Sequence, residues 1–342
     1  MTLHCVRTLA CFILVAACST PSAVTNDAGR DSPASEGSVP NSDATTSDAA
    51  TPVADFVPPT GKGDHAGTEG PWARRVLGAR SMDGLTWVRT TQVISDQADV
   101  PELLVDGKGW LYLYYYGWTI GQYQNAPALA ISTDNGATWT FRYMKFTGFP
   151  GRGDVSDPNL LFEDGIFRLY GSTRPSGTTY LVTGESTDGI SFTFKQTAFQ
   201  PPAGQNAGVA AAYRVGSKWH LLSLSSLGFG SGEEDGKLWH ATADDGKTFT
   251  LKDTTRFVVD GEAYFTGNIV PFDGGYRAYV FTVQAKPIRS FFSKDGESWS
   301  LETGDRLVFD AASKLESGYI GDPDVVRLAD GSYFMAYATL IP

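Results

Sequence analysis

The chain has 342 residues, with 38 acidic side chains against 27 basic ones and a formal net charge of −11. That balance argues against a nucleic-acid partner, which needs a basic face. All three cysteines (Cys5, Cys11 and Cys18) fall within residues 1–18, so the rest of the chain holds neither a disulfide nor a thiolate metal site.

Residues 1–18 read as an export leader. Arg7 gives a positive start, and Leu9 to Ala17 form an apolar run too short to remain across a bilayer. Val15-Ala16-Ala17-Cys18 has the form of a bacterial lipobox, with Cys18 the residue to be lipidated; the alternative is an ordinary signal peptide with Cys18 a bystander. The expected location is the bacterial cell envelope, lipid-anchored at the outer membrane, or outside the cell if the leader is simply cut. Residues 19–60 are rich in Ser, Thr, Pro, Ala and Asp and offer almost nothing to bury, so a disordered tether is expected. Such a coil reaches on the order of 35 Å from its anchor.

From residue 71 to 342 the composition turns to aromatic and β-branched runs bounded by glycine, such as Trp110 to Tyr116 and Tyr276 to Phe281, with no sustained helical period. Within this region one phrase occurs five times. It runs Ser81 to Trp87, Ser132 to Trp139, Ser186 to Phe192, Thr242 to Phe249 and Ser293 to Trp299. It is the Asp-box, a hairpin turn in which an Asp accepts backbone N–H groups, a Gly takes a positive φ and an aromatic ring fills the gap between blades. Copies roughly 50 residues apart in an all-strand region predict propeller blades.

Five units follow. Their innermost strands begin near Pro101, Asp157, Asn206, Glu262 and Asp322. The last unit stops after two strands, and its missing pair lies at about 72–93. The predicted fold is therefore an all-β, five-bladed propeller, closed by pairing strands at about 72–93 with strands at about 322–340 in one blade. Such closure leaves no open edge.

Carboxylates gather where the inner strands begin. Asp157 and Asp322 hold equivalent places, each before a proline; Glu262 lies near the start of the fourth unit, and Glu102 and Asn206 mark the other two. Asp-Pro is also a good turn sequence, so each Asp alone is as easily a cap as a catalyst. The Asp-box residues Asp83, Asp134, Asp188, Asp244 or Asp245, and Asp295 are structural on this reading.

The segments Asp322-Pro-Asp-Val-Val-Arg-Leu-Ala-Asp-Gly, Ser156-Asp-Pro-Asn-Leu-Leu-Phe-Glu-Asp-Gly and Pro101-Glu-Leu-Leu-Val-Asp-Gly resemble those of the five-bladed glycosidases, glycoside hydrolase family 43 most closely, within the arabinanase, β-xylosidase and invertase superfamily. The resemblance implies an inverting hydrolase of arabinan, xylan or fructan-like glycans, with Asp322 as general base, Asp157 tuning the acid and Glu262 as that acid. An inverting pair needs one carboxylate to activate water and a protonated one opposite it. The order of motifs is rotated, however. Counted from Asp322, the family's acid falls in the blade beginning at Asn206-Ala207-Gly208, which has no carboxylate there. Two other readings stay open: a propeller that binds carbohydrate or protein without cleaving it, and a sialidase-like exo-glycosidase. The latter wants an arginine triad, a Tyr nucleophile and usually six blades. Arg152, Arg174 and Arg289 are candidates to line the mouth and bind a carboxylated sugar, with solvated surface the safer reading for each. Trp118, Tyr264 and Tyr319 are the rings placed to stack on a sugar. The histidines show no metal spacing, and His220 and His240 read as strand residues. No cofactor is expected, a structural cation in the channel is left open, and the protein is expected to be a monomer.

Overall fold

The computed structural model describes residues 52–67, 70–151, 153–175, 177–225, 236–282 and 284–342. Cys18, the leader and the tether up to residue 51 lie outside the described residues. Five antiparallel sheets form the ring. From the axis outward, blade 1 is Ala98–Val105, Leu111–Ile120, Tyr123–Ser132 and Thr140–Tyr143. Blade 2 is Ser156–Glu163, Ile166–Thr173, Tyr180–Ser186 and Ser191–Phe199, with Lys145–Thr147 added in parallel outside. Blade 3 is Gly208–Val215, Lys218–Leu224, Leu238–Ala243 and Thr250–Thr255. Blade 4 is Glu262–Phe272, Gly275–Phe281, Arg289–Ser293 and Ser300–Leu301, and Phe257–Val259 hairpins onto its first residues. Blade 5 joins Ser317–Arg327 and Tyr333–Leu340 to Arg74–Ser81 and Val88–Asp96. The expected closure of the chain's two ends in one blade is present, with Arg74 to Ser81 in unbroken register against Leu340 to Tyr333.

The Asp-boxes do two jobs. Inside each hairpin the Asp carboxylate collects N–H groups; Asp83 accepts from Leu85 and Thr86, both at 2.8 Å. Asp188 and Asp295 do the same. In the fourth copy Asp245 takes this role, while Asp244 pairs with Lys218. Between blades, an aromatic of each blade reaches the Asp-box glycine of the next. The hydroxyls of Tyr114, Tyr170, Tyr213 and Tyr279 donate to the carbonyls of Gly189, Gly246, Gly296 and Gly84. Phe334, which lacks a hydroxyl, covers Gly136 at the fifth junction. The glycine is required there: a Cβ on Gly84 would stand 2.8 Å from the Tyr279 hydroxyl, and φ is +66°. The box aromatic completes each contact, as with Trp299 against Tyr213 at 6.3 Å and Phe249 against Tyr170 at 5.7 Å.

A second ring of contacts lies at the channel. Each innermost strand has a free edge whose N–H groups need partners. Asp324 of blade 5 accepts from the Leu103 N–H of blade 1 at 3.1 Å, and Glu102 of blade 1 from Leu160 of blade 2 at 2.9 Å. Asn159 of blade 2 accepts from Ala212 of blade 3 at 2.9 Å, and Asn268 of blade 4 from Val325 of blade 5 at 3.1 Å. In every case the acceptor is the residue just before the next donor, so blade 3 should contribute residue 211. It is an alanine, and the junction from blade 3 to blade 4 lacks this staple.

The tether ends earlier than residue 60. Phe56 is buried against Phe141 and Tyr143, the Asp55 N–H donates to Phe141 O at 2.8 Å, and the Asp55 carboxylate takes Arg142. One aromatic ring in an otherwise small and polar stretch is enough to dock it on blade 1.

Asn159 ties blade 2 to both neighbours, through Glu102 at 2.6 Å and Ala212. Asn159→Ala is expected to lower unfolding free energy by about 2–4 kcal/mol in urea denaturation, because it strands the buried Ala212 N–H and takes from Glu102 Oε1 one of its two donors. A loss under about 0.5 kcal/mol, typical of a surface change, contradicts the staple.

Candidate active site

The inner strands bulge where the stapling residues require it. Two positions before each staple lie Val100, Asp157, Val209, Thr266 and Asp322, and the strand registers slip there in every blade. Val100, Asp157 and Asp322 all have φ of +48°, and Val209 has +37°. Left-handed backbone is tolerable for Asp and unfavourable for Val, so the bulge costs strain that the ring of staples must hold. At Thr266 the following residue is Gly267, where a Cβ would lie 1.9 Å from Pro323 O. Blade 4 approaches blade 5 too closely there for any side chain.

These residues line one pocket at the axis, with Pro101, Pro158, Ala210, Phe281, Glu102 and Asp324 among its walls. The pocket is two-sided. Blades 5 and 2 supply Asp322 and Asp157, whereas blades 3 and 4 supply Val209, Ala210, Thr266 and Phe281. Between the two aspartates stands Asp99 of blade 1, one residue before the aligned Val100. Asp99 is buried, and both of its oxygens take Arg74 Nη1, at 2.9 and 2.7 Å. The same nitrogen lies 3.9 Å from Asp322 Oδ2, and the guanidinium stacks 4.9 Å from the Tyr319 ring. Burial pushes Arg74 down, but Asp99, Tyr319 and Asp322 outweigh it and hold it charged.

The carboxyls are strongly perturbed. Burial, then the Asp99 charge, pushes Asp322 up to about 7; Arg74 opposes this and Asp157 adds to it. Burial and Asp99 push Asp157 up to about 6, against a weak hydrogen bond from Ser172 at 3.4 Å. Glu102 and Asp324 line the same pocket. Burial, then the Asp324 charge, holds Glu102 well above the carboxylate range, and burial raises Asp324 to about 7.

The structure thus brings together Asp157, Asp322 and Tyr319 from the sequence candidates and adds Asp99 and Arg74. Glu102 lines the pocket as a staple and not as a free sugar ligand. Glu262 is not at the site: it begins the part of the inner strand that hairpins with Val259, and it is half exposed and paired with Lys286 at 3.1 Å. Tyr264, in the same hairpin opposite Phe257, is buried core. Asn206 caps a loop, accepting the Thr179 N–H at 2.9 Å. Trp118 packs edge-on against Trp72 and His65, each at 5.2 Å. Arg174 donates to the Gly177 carbonyl and Arg289 pairs with Asp305 at 2.9 Å, so neither joins Arg74 in an arginine cluster; Arg152 lies outside the described residues.

Neither protein-family models nor curated proteins give a match to this sequence. Solved structures do. A thermostable family-43 glycoside hydrolase is similar over 71% of this chain and 88% of that one, with TM-score 0.55 and 13% identity. An endo-arabinase from Bacteroides thetaiotaomicron is similar over 71% and 94%, with TM-score 0.50 and 17% identity. A protein of unknown function from Dyadobacter fermentans is similar over 78% and 84%, with TM-score 0.51 and 14% identity. The fold is the five-bladed propeller, shared with these structures. At such identities the likeness is one of fold, and the chemistry rests on the site itself.

The raised carboxyls have a consequence for stability. The folded chain holds protons on Asp157 and Asp322 that the unfolded chain has released above its usual 3.8, so folding loses stability as pH rises from about 4 to 7. Asp322→Asn removes one such group. It is expected to stabilise the protein by on the order of 3 kcal/mol at about pH 8 and by less than half of that at about pH 5, read as a difference in Tm. A Tm difference that does not change with pH contradicts the assignment.

Proposed function

We propose that the protein is a glycoside hydrolase acting on a neutral glycan at the channel mouth, with Asp322 and Asp157 as its working pair. The observation that carries this is the convergence of Asp322 and Asp157 on one pocket whose opposite wall is Val209, Ala210, Thr266 and Phe281, with the charge of Asp99 from the blade between them acting on both carboxyls. Glycoside cleavage needs a proton for the leaving oxygen and a carboxylate for water or carbon, in environments that separate their proton affinities. Burial and the Asp99 charge hold both carboxyls above the usual range, so one can carry the proton for the leaving oxygen while the other activates water. With Glu262 away from the site, Asp157 stands in for the acid that the family resemblance puts elsewhere, opposite Asp322 as base. Three carboxylates against one guanidinium disfavour uronates and sialic acids, and Val209, Ala210 and Phe281 suit the apolar face of a pentose or hexose ring, as in arabinan, xylan or fructan. Inversion is the stereochemical course we adopt from the resemblance.

A second reading has one observation in its favour. Blade 3, where the family resemblance puts the acid, presents only Val209 and Ala210 to the pocket. A site without its third acid binds sugar and releases it unchanged. For location, the lipobox at Cys18 and the polar stretch after it support an envelope-tethered enzyme.

Asp157→Asn and Asp322→Asn are each expected to lower kcat at least about 100-fold on aryl glycosides or polysaccharides, with KM little changed. Proton NMR of the first sugar released should show the inverted anomer. Binding of oligosaccharides by the unaltered chain with no turnover contradicts the enzyme reading and supports the binding propeller.

A further inference from the structure

On the far side of the ring from the acidic wall, at the junction of blades 3 and 4, two buried histidines face each other. His220 lies on Lys218–Leu224 and His240 on Leu238–Ala243, and both are nearly inaccessible to solvent. His220 Nδ1 is 2.9 Å from His240 Nε2, and His240 Nδ1 is 2.8 Å from Asp253 Oδ1. Glu297, from the Asp-box hairpin of blade 4, brings Oε1 to 4.0 Å from His220 Nδ1. One ligand atom from each of His220, His240 and Glu297 lies within 4.8 Å of the others.

We propose that His220, His240 and Glu297 form a zinc-type divalent metal site that clamps blade 3 to blade 4. Around a tetrahedral zinc with bonds of about 2.0–2.1 Å, donor atoms stand roughly 3.3 Å apart. The present separations of 2.9 and 4.0 Å bracket that value, so small side-chain rotations suffice. The tautomers are nearly set. Asp253 accepts the Nδ1–H of His240, which leaves the Nε2 lone pair directed at the site and supplies the outer carboxylate common behind metal-bound histidines. His220 has only to carry its proton on Nε2 instead of Nδ1. Glu297 is partly exposed, which leaves a fourth position open to water. Two cations oppose the metal: Lys252, whose ammonium lies 2.6 Å from Glu297 Oε2 and competes for the same carboxylate, and Lys218, whose charge also acts on His220.

An independent observation places the clamp where it is needed. The other four junctions carry a channel-side staple from Asn159, Glu102, Asp324 or Asn268, and the blade 3–blade 4 junction has Ala211 instead. A metal held by two histidines of blade 3 and a carboxylate of blade 4 supplies the missing tie.

The test is calorimetric titration of the chelator-treated full chain with zinc, repeated with cobalt to read tetrahedral coordination from its visible bands. One equivalent should bind with a micromolar or tighter Kd and raise Tm. His240→Gln should weaken binding at least 100-fold. Glu297→Gln, a change at a partly exposed hairpin residue that leaves the fold intact, should weaken it about tenfold, and Lys252→Ala should tighten it. Absence of zinc binding by the unaltered chain overturns the proposal. So does an affinity that Glu297→Gln and Lys252→Ala leave unchanged, which would mean that zinc binds elsewhere.

Discussion

The free edge of the innermost strand is the constraint from which the site follows. Five such edges surround the axis, and each offers an N–H that neither its own sheet nor abundant water can satisfy. The chain meets four of them with a side chain from the preceding blade: Asp324, Glu102, Asn159 and Asn268. To aim those side chains sideways, the strand bulges two residues earlier, and the bulge turns residues 100, 157, 209 and 322 into left-handed backbone. Such backbone costs of order 1 kcal/mol or more at each non-glycine position. It also presents the bulged side chain to the channel and not to a blade face. Asp157 and Asp322 therefore reach the pocket by the same distortion that lets the ring close.

Electrostatics then divides the carboxyls of the pocket into two sets. Burial holds Glu102 and Asp324 above the usual carboxylate range, which lessens the cost of two buried charges while each accepts the N–H of the next blade. The second set is less balanced: Arg74 is committed to Asp99 through both oxygens, and what remains of its field reaches Asp322 across 3.9 Å. Asp157 and Asp322 are left to compete for protons near neutrality. A carboxyl held above its usual range is a costly thing to bury for structure alone, and it suits proton transfer to a leaving oxygen.

Much of this was readable from the sequence because it repeats. The Asp-box fixes a hairpin, a glycine conformation and an interblade aromatic in one short phrase, so blade number and closure followed from spacing alone. Asp157 and Asp322 were legible because each precedes a proline at the same place in its unit. Asp99 was not, since aligning blade 1 on those positions selects Val100 and hides the acid one residue before it. Arg74 comes from the opposite end of the chain and meets Asp322 only because blade 5 is closed from both termini. Glu262 misled because the start of a strand in sequence is not the start of its channel-facing part: the hairpin with Phe257–Val259 extends the strand beyond the mouth. Glu102 was visible as an acid near the axis, but its commitment to Asn159 and Leu160 depends on a neighbouring blade whose register no local pattern reveals. The histidine pair was hidden for a related reason, because strands 20 residues apart carry no metal spacing until the sheet sets them side by side.

The central claim is that folding gathers aspartates from separate blades into one protonic unit at the axis. The direct measurement is a pH titration of carboxyl carbon shifts in protein labelled at the aspartate side chains. Resonances from Asp157 and Asp322 should titrate near 6 and 7, with that of Asp324 the third one raised above the exposed aspartates, and those of Asp157 and Asp322 should each move when the other is replaced by asparagine. If both titrate below about 5 and independently of each other, the carboxyls do not share one pocket and the account of the site is wrong.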